Sequence, residues 1–297
     1  MQNIQHERQS WLKLGALLSF LFLYGILNIF GQGGDVKLNY DNPSVVGFMY
    51  VAQVIGVVLL FIVPSLLFSI FWTDSKIHYI GITKKPHPST LLIAGFAMLM
   101  AMPTINWLSD LNQHMQLPQA FNEMETWMKK SESKAAELTE VFTKGTSISK
   151  LILNLSVMAL MAALSEEIFF RGILQKVLIE CTRNKNVAIW MGAALFSAFH
   201  MQFYGFIPRM LMGAYLGYLF LWSGSLWPGM VAHFLNNGIA VLLIWLSNRG
   251  LISVDADKIG IESNQFIYVI TSVIFVTVSL FVIYRIENKK QNSISTS

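Results

Sequence analysis

The chain has 297 residues, 54% of them hydrophobic and only 13% charged, with a formal net charge of +4. Soluble domains usually carry about a quarter charged residues, so this balance excludes a water-soluble globular enzyme. The positive charge is not gathered into a dense block, which argues against nucleic acid, and the lone Cys181 excludes an internal disulfide or a multi-cysteine metal centre.

The class expected is all-α, a polytopic membrane helix bundle forming a single domain over residues 1–297. A spanning helix needs about 20 mostly apolar residues, and eight segments approach that length. The first, Trp11 to Phe30, follows Arg8 and Lys13 and has no small-residue cleavage site after it, so it reads as a retained span rather than a signal peptide. The second and third run from Val46 to Trp72 and from Leu91 to Trp107.

A polar connection, residues 108–150, comes next and mixes lysines with Asp110, Glu123, Glu125, Glu132, Glu137 and Glu140. Within it Phe121, Met124, Trp127 and Met128 recur at helical spacing, which fits an interfacial helix or a lid beside a site. The remaining spans are Ile148 to Val177, Val187 to Phe203, Ile207 to Trp222, Leu226 to Trp245 and Phe266 to Tyr284. Residues 148–245 form the expected catalytic core. Gly213 and Gly217, four apart in the sixth span, suit close helix packing.

With the N-terminus inside, Arg8, Lys13, Lys76, Lys84, Lys85, Lys176, Arg183, Lys185, Arg285, Lys289 and Lys290 fall on the inner side. Outside the long connection, the outer side receives Lys37, Arg209, Arg249 and Lys258. The bias places both termini in the cytoplasm, and a bacterial cell membrane is the expected setting.

The chemistry is concentrated in three spans. The fourth carries Glu166, Glu167 and Arg171, and acids in hydrocarbon cost enough to default to a functional reading. Glu167 and Arg171 are four apart and can neutralise each other, whereas Glu166 points about 100° away with no local partner. Of six histidines, His200 and His233 alone fall in apolar spans, and Asn237 shares a helix face with His233. Polar groups in hydrocarbon need partners and are expected to converge. Such a set supplies a carboxylate to take a proton from water, an imidazole to orient that water and two donors for an oxyanion.

Glu-Glu-x-x-x-Arg, Phe-x-x-x-His and His-x-x-x-Asn, in that order on successive membrane helices between Glu166 and Asn237, resemble the CPBP family of intramembrane endopeptidases. That family includes the CAAX-processing Ras-converting type and the bacterial abortive-infection (Abi) type. The resemblance implies that Glu166 is the general base, His200 its partner in activating water, and His233 with Asn237 the oxyanion hole. Glu167 and Arg171 are left as structural support. It also implies a peptide or protein substrate at the membrane, with no nucleic acid partner.

Two imidazoles and a carboxylate could also form a zinc set, but no His-Glu-x-x-His helix is present, and asparagine is a poor zinc ligand and a good oxyanion donor. A mechanism requiring no cofactor is therefore preferred, with zinc the alternative. A proton-coupled transporter using the same residues as a relay is the rival class, opposed by the lack of repeat symmetry and by the confinement of the polar groups to three spans.

Overall fold

A computed structural model describes residues 9–22, 39–73, 77–115, 118–252, 259–261 and 265–295. All regular structure among them is helical. The labels used below are α1 (residues 9–22), α2 (Pro43–Trp72), α3 (Pro88–Met100), α4 (Met102–Gln113), α5 (Asn122–Thr143), α6 (Ile148–Thr182), α7 (Lys185–Phe199), α8 (Phe206–Ser223), α9 (Trp227–Asn248) and α10 (Phe266–Lys290). The expected first span is helical through residue 22, and its remainder lies outside the described residues, as do Arg8, Lys37, Lys76 and Lys258.

The helix ends follow from local chemistry. Asn42 accepts from the Ser44 amide and precedes Pro43, His87 accepts from the Ser89 amide and precedes Pro88, and Ser147 accepts from the Lys150 amide. Such caps satisfy amides that the first turn leaves unpaired. Arg183 (φ 55°) ends α6 and Gly224 (φ 62°) ends α8, both in the left-handed conformation.

Four of these helices, α2, α6, α9 and α10, are long and apolar enough to cross a membrane, and α3 with α4 make a fifth if their 43° bend belongs to one span. The bend falls where Pro103, in the first turn of α4, has no amide to continue the ladder of α3. Eight full spans, as expected from hydropathy, are therefore not what the described residues form. The expected fifth span is α7, which has 15 residues and stops at Phe199. At about 1.5 Å per residue it is about 22 Å long, short of a hydrocarbon core of about 30 Å. Its continuation to Phe203 is broken by Met201, whose φ of 54° no α-helix accommodates.

The α7–α8 pair forms a hairpin with residues 200–205, all half-buried, at its tip. The amphipathic helix α5 meets that tip. Ser131 donates to the Met201 carbonyl at 2.9 Å, Asn112 of α4 donates to the Phe203 carbonyl at 2.7 Å, and the Trp127 and Phe203 rings pack 5.1 Å apart. The Met201 carbonyl is satisfied there, and the Phe203 carbonyl takes Asn112 in addition to the Phe206 amide.

At the opposite face, Ile80 and Gly81 dip inward. A Cβ on Gly172 would stand 2.9 Å from the Ile80 side chain, the Leu226 amide donates to the Gly81 carbonyl at 3.3 Å, and the Trp227 indole donates to the Ile82 carbonyl at 2.8 Å. The start of α9 is thereby held beside Gly172, well inside α6. The core between α2, α6, α7 and α8 is apolar, with Phe61, Phe68, Phe169, Phe170, Ile173, Leu174 and Phe196 buried. Phe48, Leu59, Phe71, Leu92, Ile152 and Phe281 face outward, as lipid-facing residues do.

Candidate active site

Helix α6 is not uniform. Two wider π-helical stretches, Leu155–Met161 and Ile168–Leu174, flank the short α-helical segment Ala162–Glu167 that carries both glutamates. Each added residue in a π turn re-aims the side chains beyond it, a device common at functional sites.

Glu167 is sealed. Its side chain is 1% exposed, and its Oε1 accepts from Arg171 Nη1 at 2.6 Å and from His233 Nδ1 at 3.1 Å. Arg171 Nη2 donates onward to the Gly213 carbonyl at 3.1 Å, and its guanidinium lies 4.7 Å from the centroid of the Phe196 ring. One turn further, Gln175 donates to the Gly217 carbonyl at 3.0 Å. The paired glycines of α8 therefore supply backbone acceptors to a polar ladder, Glu167, Arg171 and Gln175, on α6. They can do so because no side chain intervenes: a Cβ on Gly213 would lie 3.0 Å from Ala193 Cα, and one on Gly217 3.0 Å from Gln175 Oε1. Gly229 leaves room for the carboxylate, since a Cβ there would sit 2.8 Å from Glu167 Oε2.

Glu166 differs from Glu167 in exposure. With 13% of its side chain accessible it opens onto space that solvent can reach, and its Oε2 lies 3.8 Å from His233 Nε2, beyond hydrogen-bonding distance. Among the described residues neither this Oε2 nor Glu167 Oε2, both buried, has a hydrogen-bond partner. Glu166 has no partner on its own helix, and the group it faces belongs to α9. Both glutamates address one imidazole, Glu167 at Nδ1 and Glu166 at Nε2. The two ring nitrogens face apart, so a ring inserted between side chains about 100° apart can meet both. Glu167 and Arg171 are likewise more than a self-neutralising pair, because Glu167 fixes His233.

Depth agrees as well. From Gly172 up to Glu166, and from Trp227 up to His233, the climb is the same, about 9 Å. Because Trp227 starts near the level of Gly172 rather than at the surface, the two side chains meet.

His200, at the C-terminal end of α7, places Nδ1 2.9 Å from the Phe196 carbonyl. A carbonyl only accepts, so Nδ1 carries the proton and the neutral ring keeps a lone pair at Nε2. The amide nitrogen of Asn237 donates one hydrogen to the Met158 carbonyl of α6 at 3.3 Å and retains a second. Its Oδ1 accepts from Asn236 at 3.1 Å. His200 and Asn237 are thus oriented by backbone carbonyls, of Phe196 and Met158.

Two residues went unmarked by sequence reasoning. Phe196 packs edge-on to both imidazoles, with centroids 5.0 Å from His200 and 5.8 Å from His233, and so joins α7, α6 and α9 at the site. Its place in the Phe-x-x-x-His motif was the available signal. Arg209 was counted as an outer-loop cation. It lies instead against the hairpin tip, donating to the backbone and side-chain carbonyls of Gln202 at 3.2 and 2.9 Å, and its charge acts on both Glu166 and Glu132. Nothing in a hydropathy profile separates the two placements.

Among the described residues no three His, Cys, Asp or Glu side chains converge as a metal-binding group.

Residues 148–239 match the family model for type II CAAX prenyl endopeptidase Rce1-like proteins, so the segment bearing the three motifs is Rce1-like. An uncharacterized protein, YpbD, from Bacillus subtilis (strain 168) is 28% identical over 86 residues, which are 28% of this chain. The match spans 41% of that relative's length. No solved structure matches.

Proposed function

We propose that this Rce1-like membrane bundle is an intramembrane endopeptidase that activates water without a metal, with Glu166 as general base. The observation that carries the reading is the contrast between the two glutamates on His233. Glu167 is 1% exposed and binds Arg171 and Nδ1 through its Oε1, whereas Glu166 is 13% exposed and makes no such bonds; the Oε2 of each is buried without a protein partner. A buried carboxylate oxygen takes a hydrogen bond wherever one is offered, and water is the donor available at such a place.

In the mechanism, water held by Glu166 and by the Nε2 lone pair of His200 loses a proton to Glu166 as its oxygen bonds to the scissile carbonyl carbon. The carbonyl π electrons move to oxygen, which becomes an oxyanion. Asn237 offers it the remaining amide hydrogen. His233, its ring oriented at Nδ1 by Glu167, is the second group assigned to that oxyanion. As the tetrahedral intermediate collapses, the C–N bond breaks and Glu166 returns its proton to the departing amine. Donors aimed at a developing oxyanion in a water-poor site are typically worth about 10²–10³ in rate.

We take the face holding Lys13, Lys84, Lys85, Arg183, Lys185, Lys289 and Lys290 as cytoplasmic, and peptide or protein segments at the membrane as the substrates. The test is cleavage of a peptide library by purified protein in detergent, comparing wild type with Glu166→Ala and His200→Ala. Removing the base is expected to cost about 10²–10⁴-fold, and a chelator is expected to leave the rate unchanged. Equal cleavage by all three proteins would remove the mechanism, and chelator-sensitive cleavage would replace it with a metal-dependent one.

A further inference from the structure

On the face that carries α5, a polar cavity of about 600 Å³ lies between α5 and the end of α9, and Glu132, Thr139, Glu140, Gln202, Ile244 and Asn248 are among its lining residues. Gln202 belongs to the α7–α8 hairpin tip, two positions beyond His200. Both of its carbonyls accept from Arg209, whose charge acts on Glu132, a residue of the cavity wall, and on Glu166. Gln202, held by Arg209, thus belongs to the wall of this recess, and the Arg209 charge is felt at Glu166 as well.

An apolar cavity of about 280 Å³ is lined by Met212, Tyr215 and Tyr218 and by no charged residue.

The ionisable groups on the wall of the polar cavity are Glu132, Glu140 and Lys144, and Lys144 Nζ is drawn to Asp41 at 3.6 Å. The wall is acidic on balance. Threonine, glutamine and asparagine side chains on the same wall suit an extended backbone, and the volume falls within the range of about 300–1,000 Å³ usual for binding sites.

We propose that this cavity is the vestibule that binds the hydrophilic flank of a polypeptide substrate, a flank carrying Lys or Arg, with Gln202 and Arg209 as the partition the chain passes to reach Glu166. The proposal rests on the peptidase reading of the Glu166 site. It places the soluble part of the substrate on the face opposite the lysine- and arginine-rich end of α6.

The experiment uses the full chain with Cys181→Ser, which removes the one native thiol, and Thr139→Cys on the vestibule wall. A bulky thiosulfonate reagent attached there is expected to lower kcat/KM at least tenfold, with recovery on reduction. The same reagent at Leu92→Cys, on the lipid face, is expected to change nothing. Glu140→Lys is expected to raise KM about tenfold for a peptide with a Lys flank and to lower it for the same peptide with an Asp flank, at unchanged kcat. Unaltered cleavage after modification at residue 139, or an unaltered flank preference in Glu140→Lys, would overturn the proposal.

If wild type cleaves no peptide, the peptidase reading falls and the vestibule is judged by binding alone. A fluorophore at Thr139→Cys that responds to the Lys-flanked and not to the Asp-flanked peptide upholds it, and a fluorophore that responds to neither overturns it.

Discussion

At the scale of single residues, the site is a line of charge, Arg171, Glu167, His233 and Glu166, built from two helices. Glu167 is the member whose removal does most, since Arg171, 3% exposed, would be left without its counter-charge. Breaking a buried pair in this way costs about 3–5 kcal/mol, so Glu167→Ala should unfold at a clearly lower temperature in detergent and lose activity together with stability. Gly229→Ala separates the two effects. The added methyl would stand 2.8 Å from Glu167 Oε2 and must push the carboxylate away from His233 Nδ1. A displacement of about 1 Å at such a site costs about 10²-fold in rate. The variant is therefore expected to keep most of its thermal stability while kcat falls, and kcat equal to wild type would show that Glu167 does not position the ring.

At the scale of elements, the α7–α8 hairpin depends on how closely α8 approaches α6 and α7. A Cβ at Gly213 meets Ala193 Cα at 3.0 Å, where backbone cannot give way as a side-chain tip can. Gly213→Val should cost about 1–3 kcal/mol by overpacking, read as a lower unfolding temperature, and should loosen Arg171 from the Gly213 carbonyl. Helix α5 is held to the hairpin tip partly through Glu132. Burial raises that carboxyl above its ordinary 4.5, against the opposing pull of Arg209 and of the Tyr204 and Phe203 backbone. A raised acid binds its proton more tightly when docked, so docking is strongest below 4.5 and weakens as pH climbs through the raised value. Limited proteolysis within α5 should accelerate over that interval in wild type and show no such step in Glu132→Gln.

At the scale of the whole molecule, the two faces are chemically unlike. One gathers Lys84, Lys85, Arg183, Lys185, Lys289 and Lys290, whereas the other carries α5 with its interleaved acids and lysines. With Cys181→Ser as background, single cysteines at Lys185 and Lys144 should react with a membrane-impermeant thiol reagent from opposite sides of sealed vesicles. Reaction from one side alone would overturn the orientation.

The sequence by itself determined the class of the molecule and the identity of its polar residues. Long apolar runs force helices because backbone groups in lipid have no other partners, and Glu166, Glu167, His200, His233 and Asn237 stand out because charge and imidazole are costly there. Only the tertiary structure decided that the apolar run of α7 stops short at Phe199, that Arg209 lies against the hairpin tip, and that both glutamates face one histidine. Hydropathy averages over a window and a helical wheel assumes equal steps. The turning points here are set instead by a left-handed Met201, by π-helical stretches on either side of the glutamates, and by glycines whose contacts lie on other helices.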